Sequence, residues 1–156
     1  MKKIIVLTAL ALAIALCSCV MEERSDDYYF VAGGVEILPG IRAEEVLLHL
    51  GESRSMQSTP SCAFDGEERV YAYSGFDIYT ECYEGKEVII RVALTSDLVA
   101  TERGVCVGDS FHEVVRSYGR DYEKSGENIE YDGARCRLQF FFREGIVTSI
   151  KYLADE

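Results

Sequence analysis

Between Arg135 and Arg143 the chain reads RCRLQFFFR, and this alternation restricts the fold more than any other stretch. Cys136, Leu138, Phe140 and Phe142 fall on one side of an extended chain, while Arg135, Arg137, Gln139 and Arg143 fall on the other. Successive strand residues point to opposite faces of a sheet, so the run predicts a strand with one buried face. Glu144-Gly145 then turns the chain into residues 146–153, where Ile146, Ile150 and Tyr152 continue the inward set. An earlier hairpin has the same form, with strands over 78–83 and 88–94 around Glu84-Gly85-Lys86. Ser74-Gly75 and Asp132-Gly133 are two-residue turn signals of the kind hairpins favour, and they lead a further strand into each hairpin.

Each group of strands is preceded by a short helical pattern. Phe111, Val114, Val115 and Tyr118 fall at i, i+3, i+4 and i+7, with Asp109 or Ser110 as N-cap and Gly119 as the stop. Ala43, Val46, Leu47 and Leu50 repeat the spacing, with Gly51 as the stop. Residues 40–51 lie over residues 108–119 without a gap, and the shared order of turns and strands continues beyond them. The expected fold class is therefore α+β: two tandem repeats over residues 31–97 and 98–156. Each repeat is a short helix packed on a three- to four-stranded antiparallel meander, with the other sheet face left open.

The N-terminus carries a different message. Met1-Lys2-Lys3 is a positive head, and Ile4 to Leu16 is an uncharged apolar run, the layout of a secretory signal. Coiled as a helix the run would span roughly 20 Å, short of a hydrocarbon core of about 30 Å, which argues against a permanent transmembrane helix. Leu16-Cys17-Ser18-Cys19 resembles the lipobox of bacterial lipoproteins. That resemblance implies a signal peptide over residues 1–18 and lipidation of Cys19, with export to the outer face of a bacterial membrane. Residues 19–30 then read as an acidic tether, with Glu22, Glu23, Asp26 and Asp27 set against Arg24 alone.

The pattern G-V-x-V-G-D-S-x-x-x-V-V-x-x-Y-G stands at Gly104 to Gly119, followed by Tyr131 and the alternating residues Leu138 to Tyr152. It resembles the small lipoprotein (SmpA/OmlA) family of the outer-membrane assembly machine and the tandem-repeat β-lactamase inhibitory protein family. The likeness implies the helix-on-meander fold over residues 35–94 and 101–153.

Charge narrows the choice of partner. Sixteen basic residues stand against 27 acidic ones, a net charge of −11. The loss of Lys2 and Lys3 with the signal makes this about −13, which disfavours nucleic acid because binding it rests on phosphate neutralisation. Membrane contact is expected through the lipid anchor only. Cys62, Cys82, Cys106 and Cys136 form an even set in an exported chain, read either as disulfides, with pairings Cys62–Cys82 and Cys106–Cys136, or as buried thiols. No Cys-x-x-Cys suggests a metal, and no cofactor is implied. His49 and His112 both fall on predicted helices, no Gly-rich phosphate loop or Gly-x-Ser-x-Gly elbow occurs, and no catalytic residue is assigned.

The residues that carry a binding expectation are aromatics and arginines on the strands. Tyr79 and Tyr83 share one strand face, and Phe141 lies opposite Phe140 and Phe142. Together with Arg137 and Arg143 they form a candidate surface of the residue types enriched where proteins meet. The chain is thus expected to be a membrane-anchored, non-catalytic envelope lipoprotein that binds an envelope or extracellular protein. An inhibitor of an extracellular enzyme and a neutral-glycan binder are the alternatives.

Overall fold

In the computed structural model, which describes residues 27–61 and 66–155, the alternation at 135–143 does bury one side: Cys136, Leu138, Phe140 and Phe142 are inside. The order of elements is β1 (Phe30–Ala32), β2 (Val35–Ile37), α1 (Ala43–Leu50), β3 (Ser55–Pro60), β4 (Glu67–Ala72), β5 (Phe76–Tyr83) and β6 (Lys86–Leu94), then α2 (Phe111–Tyr118), β7 (Glu123–Ser125), β8 (Asn128–Asp132), β9 (Cys136–Arg143) and β10 (Ile146–Ala154). Strands β3 to β10 form one eight-stranded antiparallel sheet in the order β3-β4-β5-β6-β10-β9-β8-β7. A separate ribbon pairs β1 with β2 around Gly33-Gly34, both at positive φ where a side chain would be strained.

This architecture overturns the expectation of two helix-on-meander repeats. Among the described residues the chain is mostly β, with two eight-residue helices, and strands β3 to β10 from both halves make a single sheet beside the small ribbon. The reason lies at the seam, where β10 pairs antiparallel with β6 from Ile150↔Leu94 to Leu153↔Arg91. Two separate sheets would leave two long edges with unpaired backbone groups; edge pairing satisfies them. The apolar rows cross the seam unbroken: Tyr71, Ile78, Val92, Tyr152, Leu138 and Tyr131 lie side by side through the registers of β4, β5, β6, β10, β9 and β8. Phe76, Leu94, Ile150, Phe140 and Ile129 form the next row.

One face of the sheet is covered. Ala43 and Val46 of α1, Val114 and Tyr118 of α2, and Phe30 and Ile37 of the ribbon are all buried in the same core cluster as these rows. Full burial of each large apolar side chain contributes about 1.5–3 kcal/mol relative to exposure. Phe30 meets Phe76 edge-on at 4.8 Å between ring centroids, and Tyr28 meets Tyr118 at 5.8 Å. Tyr28 is 4% and Phe30 0% exposed, so the end of the segment assigned to the acidic tether belongs to the folded body. Arg135 holds the entry point through Asp27, Nη2 to Oδ2 at 2.7 Å. Residues 1–26, including the signal and Cys19, lie outside the described residues.

The cysteine pairings are corrected too. Cys82, Cys106 and Cys136 are free thiols, and Cys62 lies outside the described residues. Cys136 is buried, its Sγ donates to the Tyr28 carbonyl at 2.7 Å, and burial pushes its thiol up to about 12. It serves as a small core residue that also ties the N-terminal segment to β9.

Candidate binding surface

Covering one side of the sheet leaves the other side open, and the outward residues of β4 to β9 form its surface. Across the strands, register places Val70, Tyr79, Arg91, Leu153, Arg137 and Asp132 in one row. The adjoining row runs Asp77, Ala93, Lys151, Gln139 and Glu130. Phe141 follows Gln139 on β9 and pairs with Ser149. Strands lie about 4.8 Å apart, so Tyr79 and Arg137 are separated by roughly 14 Å across the face.

Three of the five residues expected at a binding surface are therefore brought together on this face: Tyr79, Arg137 and Phe141. Arg143 is exposed at the end of β9, opposite Ile146 and beside the turn into β10. Tyr83 ends β5 opposite Lys86, and its side chain lies outside the described residues.

Two residues not singled out from the sequence occupy the middle. The Arg91 guanidinium carbon lies 3.7 Å from the Tyr79 ring centroid, and Lys151 Nζ lies 4.2 Å from that of Phe141. Each ring thus carries a cation on its π face, a contact worth about 0.5–1 kcal/mol where exposed and about 2 where water is excluded. A β-bulge turns Arg91 outward: the register shifts between Tyr79↔Arg91 and Thr80↔Ile89, leaving Ile90 as the extra residue. Ile89 and Val92 can then both point inward, and both are fully buried.

The charges on the face are unequally matched. Arg137 reaches Glu130 at 3.7 Å and Asp155 at 3.8 Å and donates to the Ala154 carbonyl at 3.4 Å. Arg69, Arg103, Arg116 and Arg135 also reach carboxylates. Arg91 and Lys151 have no ion pair among the described residues, and the buried Nε of Arg91 lacks a hydrogen-bond partner. Partial burial and then the Arg91 charge hold the Lys151 ammonium below its usual range. Asp77 is kept above the usual carboxylate range by burial, with no cation drawing it down. Toward β7 the face ends in a cleft of about 260 Å³ whose lining includes Glu123, Lys124, Asn128, Glu130, Gln139 and Phe141.

Glu87 accepts from Thr80 Oγ1 at 2.6 Å, Tyr71 OH at 2.8 Å and Arg69 Nη1 at 3.2 Å. His49 and His112 are exposed on α1 and α2. Among the described residues, no group of three or more His, Cys, Asp or Glu side chains is placed to hold a metal, and no helix is long and apolar enough to cross a membrane.

No family model and no curated protein matches the chain. Two solved structures are similar to it. One is the uncharacterized protein YfeY from Escherichia coli, at 13% identity and TM-score 0.48, over 80% of this chain and 97% of that one. The other is YjgB, a DUF4309 family protein from Bacillus subtilis, at 15% identity and TM-score 0.43, over 73% of this chain and 78% of that one.

Proposed function

We propose that this chain is an exported lipoprotein, anchored through Cys19, that acts as a non-catalytic protein-binding module and meets its partner with the open face of its sheet. The anchor rests on the order of Lys2-Lys3, the apolar run to Leu16 and the sequence Leu16-Cys17-Ser18-Cys19. The single observation that carries the binding role is the make-up of the open face, where Tyr79, Phe141, Leu153, Arg91 and Arg137 lie on one surface. Tyrosine and arginine are the side chains that most often dominate the energy of protein interfaces. A rigid sheet also presents them without the ordering cost that a flexible loop would incur on binding.

Anchoring is tested by fractionating cells that carry the natural chain or Cys19→Ser. The natural chain is expected with the membranes, extractable by detergent and resistant to high salt, and the variant in the soluble exported fraction. Two acyl chains give stable attachment where one does not, so loss of the acceptor thiol abolishes retention. Equal distribution of the two chains would contradict the anchor.

A further inference from the structure

We propose that Arg91 and Lys151 form a carboxylate-binding site for an acidic side chain of the partner protein, flanked by apolar side chains that pack on Tyr79 and Phe141. This deepens the open-face reading and rests on it. The two cations are diagonal neighbours across the seam, since Leu153 pairs with Arg91 and Lys151 with Ala93. Ala93 is buried directly opposite Lys151 and two residues from Arg91 on β6, and its methyl group adds little bulk beside the two cationic stems. Tyr79 flanks the pair on the Arg91 side and Phe141 on the Lys151 side, each ring directly under its cation.

Charge balance indicates which group the two cations would take. In a chain of net charge −11, two adjacent like charges with no carboxylate between them are an exception. Holding them together costs repulsion that an intervening anion would relieve, and a charged hydrogen bond to a carboxylate is about twice as strong as a neutral one. Two acidic residues share the row of Lys151: Ala93 separates it from Asp77, which is not drawn down by either cation, and Gln139 separates it from Glu130, which pairs with Arg137 at 3.7 Å. The site is local, because Glu130, Asp132 and Glu123 lie beyond it on β8 and β7, so a polyanion or an anionic membrane surface would be repelled at its margins. A single carboxylate between apolar neighbours fits both the cations and the rings.

The spacing sets the recognition pattern. The diagonal from Tyr79 to Phe141 crosses three strand spacings and about four residues of strand, roughly 20 Å, which an extended peptide covers in about six residues. A peptide with leucine two residues before a glutamate and another leucine four residues after it places the three side chains on one side.

The test uses the full chain in detergent and a rhodamine-labelled, end-capped peptide of that pattern with serine elsewhere, beside a twin in which glutamine replaces the glutamate. Fluorescence polarisation is expected to show the glutamate peptide binding about tenfold more tightly than its twin, the difference shrinking as salt rises. In Lys151→Gln, and separately in Lys151→Met, which keeps the stem on Phe141, the preference is expected to fall to about twofold or less. Circular dichroism confirms that each variant is folded. Equal binding of the two peptides to the natural chain overturns the carboxylate site. If Tyr79→Ala then weakens both peptides alike, the open face survives as a protein-binding surface and only the anion assignment falls. Absence of binding by either peptide up to millimolar concentration overturns the site as well.

Discussion

Glu102 shows how one carboxylate is built into an otherwise apolar core. Its Oε1 accepts from Tyr118 OH at 3.1 Å, its Oε2 accepts from Tyr152 OH at 3.0 Å, and Arg103 Nε lies 3.7 Å away. Burial raises its pKa above the ordinary 4.5, and the hydrogen bonds only partly offset this. The folded state then holds a proton more firmly than the unfolded state does, so stability from this group is greatest in acid and declines as pH climbs from 4.5 through the raised value. Glu102→Gln, which removes the charge and keeps an acceptor, is expected to melt at a temperature that falls less than the natural chain's between about pH 4 and pH 7. Thermal melts of the two proteins across that range measure it, and parallel curves would contradict the assignment. Residue chemistry of this kind was invisible in the sequence because Glu102 sits in the loop before α2, where no periodicity marks it as inward. Arg91 escaped for another reason. The bulge at Ile90 resets the phase of β6, so counting alternate residues from Ile89 would send Arg91 into the core. Arg137 and Phe141 were legible because β9 has no such break, and every second residue is buried from Cys136 to Phe142.

Among the elements, the two helices make a controlled comparison. Ser110 caps α2 with a complete capping box: its Oγ accepts from Glu113 N at 3.3 Å, and Glu113 Oε2 accepts from Ser110 N at 2.9 Å. Arg42 stands at the same position before α1 in extended backbone, with no side-chain cap, although Glu45 is already in place three residues on. Ser110→Ala is expected to cost about 1 kcal/mol, and Arg42→Ser to gain about 0.5–1 kcal/mol by completing the second box. Denaturant unfolding measures both, and a destabilising Arg42→Ser would show that Arg42 does more at that site than precede a helix. Both helices were readable from their apolar spacing and closing glycines. The edge strands β3 and β7 were not, because every residue in them is exposed and the apolar alternation that betrays a strand is missing. The β1–β2 ribbon was concealed by its position directly after an acidic run. Gly33-Gly34 was the available signal, and Phe30 and Ile37 on either side were its inward residues.

For the whole molecule, the decisive feature is the joining of strands from both halves into one sheet with one covered face and one open face. Local sequence shows which residues share a side of a strand, but the pairing of β6 with β10 joins residues more than fifty positions apart, and no local pattern encodes it. The corrected architecture enlarges the open face. Tyr79 comes from the first half of the chain and Phe141 from the second, and continuity across the seam places them on one surface. If that surface is where the molecule acts, contact in the cell must be confined to it. The direct measurement is site-specific photo-cross-linking in the intact organism, with the reactive side chain placed in turn at Tyr79, at Phe141 and at His112, which is exposed on α2 over the covered face. Discrete adducts from positions 79 and 141, with none from position 112, are the predicted result; adducts from position 112 with none from the sheet would contradict it.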